Sequence, residues 1–338
     1  FMSPFMSCGA RLPVYALFAA AFFPAFAGGV VFSLYLAGIV LAVITGLLLK
    51  RTLFRGEVSH FIMELPPYHK PRVGHILRTA WHRLRLFVVR AGITITIVVT
   101  ILAALNSFGI DGSFGQEDTE DSVLSAIGKT ITPVFTPMGV ERENWPATVG
   151  LFTGLLAKEA VVGTLNSLYA MDRSAPEAAA PESGELFDFW GGIGESFSTI
   201  PENLAGVGGG LVDPLGLGMV GQSEEALLEE LETDSAVFAR MRARFTSVGA
   251  YAYLLFVLIY FPCVAALGAA VREMGAFFGW LLAGYLTVLA WSLSTLLYQF
   301  ASGPQLLPVL IAFGLIGLII ATFALIGSRE SHKRAMAA

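Results

Sequence analysis

The chain has 338 residues, of which 55% are hydrophobic and only 14% charged, with a formal net charge of -5. Soluble domains carry about 25% charged residues, so the composition excludes an ordinary soluble globule and points to an integral membrane protein. Two cysteines are too few for a disulfide framework, and Gly, at 36 residues, suits closely packed membrane helices.

In chain order, the spans of roughly 20 apolar residues needed to cross a bilayer are Ala25–Leu49, Phe87–Leu105, Trp145–Ala170, Val248–Ala270, Phe277–Phe300 and Leu306–Ile326. Leu12–Phe23 is apolar but short, so it is half of a broken helix or the end of one that starts elsewhere. The chain opens at Phe1 and runs straight into a motif, which suits a C-terminal piece of something longer. No basic stretch precedes the first apolar run, so no cleavable signal peptide is expected.

The predicted fold class is all-α: a polytopic transmembrane helical bundle with broken helices and an inserted acidic soluble segment. Residues 1–49 hold a first motif and a span. Residues 50–86 form a basic loop, and 87–171 a span, an acidic loop and a membrane segment. The acidic insert covers 172–245, a second motif with three spans 246–327, and a basic tail 328–338.

Charge sets the expected sidedness. Nine Lys/Arg and two carboxylates lie between Lys50 and Arg90, which places this loop in the cytoplasm by the positive-inside rule. Within it Val73, Ile76, Leu77, Ala80, Trp81 and Leu84 recur at helical spacing, with His75, Arg78, His82, Arg83 and Arg85 on the other face. This pattern predicts a basic amphipathic helix, lying on the membrane or packed on protein. Asn106–Asn144 carries seven carboxylates and is expected outside. Asp172–Ala239 has fourteen carboxylates and one Arg, includes "APEAAAPESGE", and ends in a predicted helix at Ser223–Glu232. A full crossing by Trp145–Ala170 puts the basic tail outside, against the charge rule. A re-entrant segment keeps the tail inside, and Lys158 and Glu159 give a reason for a break there. Arg240, Arg242 and Arg244 pull the other way; the re-entrant arrangement is the expectation.

Four groups of residues bear on chemistry. Cys8 follows Pro4, and Cys263 follows Pro262. Prolines disrupt the helical ladder, and irregular backbone at membrane depth is tolerated where it is buried in protein or lines a cavity. Paired broken helices build midplane ion sites in transporters. Thiols are soft ligands that suit transition metals, and Met6 and Ser7 stand beside Cys8 to add sulfur and oxygen. The alternative is two small buried hydrophobes. Second, an ionisable residue within a span is costly and by default functional. This makes Glu159 a candidate cation ligand or proton relay, unless Lys158 and Glu159 form a structural pair; Asn166 falls roughly on the same face as Glu159. Third, Glu64 in "MELPPYHKP" is a weak ligand candidate within a proline-stiffened linker. Fourth, His60, His69, His75 and His82 lack the i, i+4 spacing of a helical metal site. No G-x-x-x-x-G-K-[ST] occurs, and "GVGGGLVDP" (Gly206–Pro214) lacks the Lys of a phosphate loop. No catalytic site is visible, and no nucleic-acid partner is expected.

Taken together, "PFMSCGARLPVY", "MELPPYHKP", "RTAWHRLRLFVVRAG", "LLAKEAVVGTLNSLY" and "AYLLFVLIYFPCVAALGAAVRE" resemble FeoB-type ferrous iron transporters, in family order and over almost the whole chain. The two cysteine stretches look like the family's paired Gate motifs. The resemblance implies a pseudo-symmetric pore with Cys8, Ser7 and Cys263 along an Fe²⁺ path, and Glu159 as the acid of the family's "KE" pattern. It implies that GTP and Mg²⁺ act only through an N-terminal G domain that this chain does not contain, on the same polypeptide or as a separate G-protein subunit. It further implies a bilayer setting in the bacterial inner membrane, and leaves room for a small cytoplasmic Feo-type partner and a homo-oligomer. Two other readings remain: an organic-solute, nucleoside-like transporter, and a non-transporting membrane scaffold.

Overall fold

In the computed structural model, residues 1–53, 72–115, 119, 121–156, 158, 160–171 and 235–337 are described. Their α-helices are α1 (Leu12–Phe22), α2 (Ala27–Arg51), α3 (Val73–Ser107), α4 (Val123–Ile131), α5 (Trp145–Leu156), α6 (Ala160–Met171), α7 (Ser235–Arg244), α8 (Ser247–Ile259), α9 (Val264–Met274), α10 (Ala276–Ser302) and α11 (Leu306–Ala337). No strand forms among them beyond two isolated bridges, Phe108 with Phe114 and Gly109 with Ser122. Four stretches are long and apolar enough to cross a membrane: Pro24–Arg51, Ser247–Met274, Ala276–Ser302 and Leu306–Ser328. The chain is a multi-pass, all-α membrane protein. Apolar side chains on the outer faces of α2 and α11, among them Phe32, Ile39, Val43, Leu310 and Leu318, stand exposed, as a lipid-facing surface requires.

Apolar surface gains little by moving from lipid tails to protein, so packing and hydrogen bonds hold such a bundle. The core gathers around α8 and α10. Along α2, Ser33 bonds the Tyr251 hydroxyl at 2.8 Å and Thr45 the Tyr285 hydroxyl at 3.1 Å. Each such bond contributes on the order of 0.6 kcal/mol. These pairs, with Gly38 beside Leu258, set α2 parallel to the α8–α9 line. The N-terminal segment runs the other way: Met2 packs on Gly46, the Phe5 carbonyl on Gly38, and Phe18 stacks on Tyr253 with ring centroids 4.8 Å apart. Gly38 tolerates that approach because it has no Cβ; one added there would lie 2.6 Å from the Phe5 oxygen.

Three interruptions shape the fold. The first covers the N-terminal residues, where two single 3-10 turns, Ser3–Phe5 and Gly9–Arg11, precede α1. The backbone ahead of Leu12–Phe22 is therefore irregular rather than helical. The second lies between α8 and α9, at Tyr260–Cys263. Helix α10 packs on both halves: Gly279 meets Val271 on α9, and Tyr298 reaches Gly139 beside Gly249 of α8. The two halves thus form one interrupted crossing antiparallel to α10. The third divides Trp145–Ala170 into α5 and α6. Leu165 packs on Gly150 and Val161 on Gly154, and the Tyr169 hydroxyl donates to Asn144 Oδ1. That pairing is antiparallel, so the two helices form a hairpin whose ends lie together. This is the arrangement that a re-entrant segment requires.

Two stretches differ from their sequence-based outline. The basic amphipathic stretch and the apolar stretch after it form a single helix, α3, and Val73, Ile76, Leu77, Trp81 and Leu84 are exposed on it. The acidic loop after α3 is no simple excursion. Trp291 Nε1 donates to the Val134 carbonyl at 2.7 Å and Gln299 Nε2 to the Pro137 carbonyl at 2.9 Å, and Phe135 packs edge-on against Phe256. Its residues 132–139 therefore seat against α10, where the buried Gln299 amide and the half-buried Trp291 indole donate to backbone carbonyls of the two 3-10 turns. The predicted helix at Ser223–Glu232 and most of the acidic insert lie outside the described residues.

Candidate functional site

The antiparallel register that stacks Phe18 on Tyr253 and sets Phe22 against Phe245 brings Ser7–Cys8 level with Tyr260–Cys263. The hairpin reaches the same level. Helix α5 runs beside α8, with the Tyr253 hydroxyl donating to the Ala147 carbonyl at 3.0 Å and Tyr260 packed against Gly154. At its tip Lys158 Nζ lies 4.5 Å from the centre of the Tyr260 ring. Three broken elements therefore meet at one place inside the bundle.

Local sequence explains each break. Pro262 has no N–H to continue α8, and Tyr260 at its end turns extended, with ψ 175°. Cys263 then caps α9, its carbonyl accepting from Leu267 N at 2.9 Å. Cys8 occupies the equivalent place before the Gly9–Arg11 turn, with Arg11 N bonded to its carbonyl at 3.1 Å. Both cysteines are thus helix-start residues whose side chains stand clear of a helical ladder. Cys8 is exposed and Cys263 half-buried; neither is the buried apolar cysteine that a packing role requires.

Around them lies a polar set inside an apolar shell. Arg11 is 3% exposed, and its Nη1 donates to the Pro4 carbonyl at 3.0 Å, bracing the first break. Tyr15 and Tyr260 are buried. Ser7 lies beside the Tyr15 hydroxyl without closing a well-formed hydrogen bond. Cys8, Cys263 and Arg11 all lie in the neighbourhood of Lys158 and of Tyr260. Among the described residues, Ser7 Oγ, Tyr15 Oη, Arg11 Nε and Lys158 Nζ are buried without hydrogen-bond partners. The C-terminal ends of α5 and α8, the negative poles of their dipoles, both point at this place.

Of the sequence candidates, Ser7, Cys8 and Cys263 come together here. Met6 is 62% exposed beside them. Glu159 and Glu64 lie outside the described residues. No group of three or more His, Cys, Asp or Glu side chains forms a ready-made metal site among the described residues; the arrangement is a sparse lining rather than a cage. Arg11, Tyr15 and Tyr260 belong to the site although sequence reasoning passed over them. Arg11 had a signal, being an ionisable residue between apolar runs.

The outer end of the hairpin is anchored. Asn144 is fully buried; its Nδ2 donates to the Arg244 carbonyl at 3.2 Å while its Oδ1 accepts from Tyr169. Arg240 donates to the Tyr169 and Ala170 carbonyls at the end of α6, and Arg242 to the Ala21 carbonyl at the end of α1. Cationic groups at helix C-termini are favourable on dipole grounds too. Asn144→Leu removes both bonds and strands their partners, a loss of about 1–3 kcal/mol. A fall in the thermal unfolding midpoint in detergent is expected, and an unchanged midpoint rules the anchor out.

The chain is similar to proteins of known families. Residues 31–83 match the family described as ferrous iron transport protein B C terminus, and residues 88–277 match Gate, described as nucleoside recognition. The chain is 48% identical over 310 residues to Fe(2+) transporter FeoB of Legionella pneumophila (strain Paris), covering 90% of this chain and 39% of that protein. Identity is 45% over 307 residues to the Escherichia coli (strain K12) protein of the same name, and 44% over 308 residues to that of Salmonella typhi. In each of these two cases 90% of this chain and 38% of the relative is covered, so the chain spans about two fifths of the length of the curated relatives it matches. No solved structure matches it significantly.

Proposed function

Because the chain belongs to the Gate family, and matches the FeoB C terminus ahead of its Gate region, we propose that it is the permeation part of a ferrous iron uptake transporter. The observation that carries this reading is the meeting of three interrupted elements at Cys8, Cys263 and the Lys158 tip. A transition-metal cation passing there exchanges water for soft sulfur, the Ser7 hydroxyl and carbonyls freed at the end of α8. Met6 supplies a further sulfur at the mouth, and Glu159, next to Lys158 in sequence, a carboxylate. Glu64 is a weaker participant in the cytoplasmic linker.

A sparse lining suits passage. A conducting site must bind strongly enough to admit an ion and weakly enough to release it. Selectivity does not come from affinity alone, since Cu²⁺ and Zn²⁺ outbind Fe²⁺ at most N, O and S sites. In the whole transporter, GTP and Mg²⁺ act in a G domain carried on the same polypeptide or on a separate subunit. The setting is a bacterial inner membrane, with a small cytoplasmic Feo-type partner and self-association as further contacts.

Anaerobic liposomes containing the chain and loaded with a metal-sensitive dye test this. Influx of Fe²⁺, stimulated by the G-domain half, is expected. Nucleoside influx without metal influx would favour the solute-transporter reading, and neither would favour a scaffold. Glu159→Gln keeps shape while removing charge, so it should lower influx and leave the protein folded. If it aggregates instead, and Lys158→Met restores it, the two side chains form a structural pair.

A further inference from the structure

Lys158 is an ionisable residue where charge is expensive, and among the described residues no carboxylate pairs with it. It is 4% exposed, and its Nζ finds no hydrogen-bond acceptor among the described residues. What surrounds it is a set of features that attract any cation. The Tyr260 ring presents its face. The C-terminal poles of α5 and α8 converge on it. The sulfur atoms of Cys8 and Cys263 lie near it. Against these stands Arg11 at the start of α1, whose positive charge repels any cation held there. A divalent ion and the lysine cannot share this place without strong repulsion.

We propose that Lys158 is a tethered cation that fills the ion's place in the closed site, so that an incoming divalent ion must displace it. This rests on the permeation reading above. The hairpin supplies the tether: α5 and α6 are anchored at their outer ends by Asn144 and Arg240, while the residue at the tip is the one that has to move. The device also selects. An alkali cation carries no more charge than the ammonium and gains little from thiols, so it does not displace the lysine. A divalent transition metal gains from both charge and sulfur.

The test uses the 338-residue chain in liposomes, as wild type and as the variants Lys158→Met, Lys158→Gln and Lys158→Arg. Co²⁺ serves as an air-stable probe. Passive Co²⁺ influx is recorded, together with the Co²⁺ concentration that half-protects Cys8 and Cys263 from a water-soluble thiol reagent. Removing one charge from beside a divalent ion should strengthen binding by about tenfold or more. Lys158→Met and Lys158→Gln should therefore both shift protection to lower Co²⁺ by that factor and raise passive influx, while Lys158→Arg stays near wild type. Folded Met or Gln variants with wild-type protection and influx overturn the proposal. So does an Arg variant that leaks as the Met variant does, since that makes shape rather than charge the cause. If Co²⁺ protects neither thiol in any of the four proteins and enters through none, the permeation reading itself fails.

Discussion

Replacing Cys8 or Cys263 with alanine is expected to lower Fe²⁺ influx by about tenfold or more, the scale on which disturbing a metal site weakens it, with folded protein yield unchanged. The two halves of that expectation have separate grounds. Neither thiol is in the packed core, Cys8 being exposed and Cys263 half-buried, so truncation opens no buried cavity of the kind that destabilises a fold. Both stand at helix starts beside a break, and the register of α1 on α8 brings them level. Serine variants divide polarity from softness, because a hydroxyl keeps the size and is a much harder ligand. A path that needs sulfur loses influx in both variants; a path that needs only polarity recovers with serine. In the folded protein a water-soluble thiol reagent should modify Cys8 faster than Cys263, following their exposure, and Fe²⁺ should slow both reactions. Normal influx in both alanine variants, with neither thiol reactive, would mean that the prolines bend helices for packing alone.

The sequence made the helices and the places where they break legible. Pro4, Pro262 and the Lys158–Glu159 pair each flag an interruption by a mechanism that needs no tertiary information: a missing N–H, or a charge too costly for lipid. The charge rule also favoured a re-entrant segment at Trp145–Ala170, and the hairpin agrees. The register of one element on another was not legible. A membrane helix is apolar on its lipid face and its protein face alike, so Ile39 and Leu34 on α2 look equivalent in sequence although one is exposed and the other fully buried. Without a periodic contrast, nothing in the chain says that Phe18 will stack on Tyr253, or that Cys8 will thereby come level with Cys263. The seating of residues 132–139 was not legible for a related reason: it depends on Trp291 and Gln299, some 160 residues away in sequence. Arg11, three residues after Cys8, is likewise an ionisable residue between apolar runs. The same reasoning that singled out Lys158 applies to it, and both are buried at the same crossing.

Small residues offer the one local hint of register, and Gly154 gives the test with the largest expected structural effect. A Cβ at this position would collide with the Tyr260 hydroxyl and lie 2.7 Å from Val161 Cγ2. It sits where α5 touches both α8 and its own hairpin partner, α6. Tyr260 is buried and fixed by the core around it, so the hairpin, not the tyrosine, has to give way. Overpacking of this kind costs about 1–3 kcal/mol, and the displacement also lifts Lys158 away from the Tyr260 ring. Gly154→Leu should therefore lower the unfolding midpoint and alter both influx and the Co²⁺ protection of Cys263, with Gly154→Ala intermediate. Gly163, on α6 of the same hairpin, is the control: it is exposed, and a Cβ there meets nothing within 4 Å. Gly163→Leu adds the same side chain to the same element and should change neither quantity, because it meets no neighbour there. Equal effects at the two glycines would show that helix propensity, not contact, governs the response. A Gly154→Leu variant with wild-type midpoint and influx would mean that the hairpin does not enter against Tyr260, and the meeting of the three breaks would have to be redrawn.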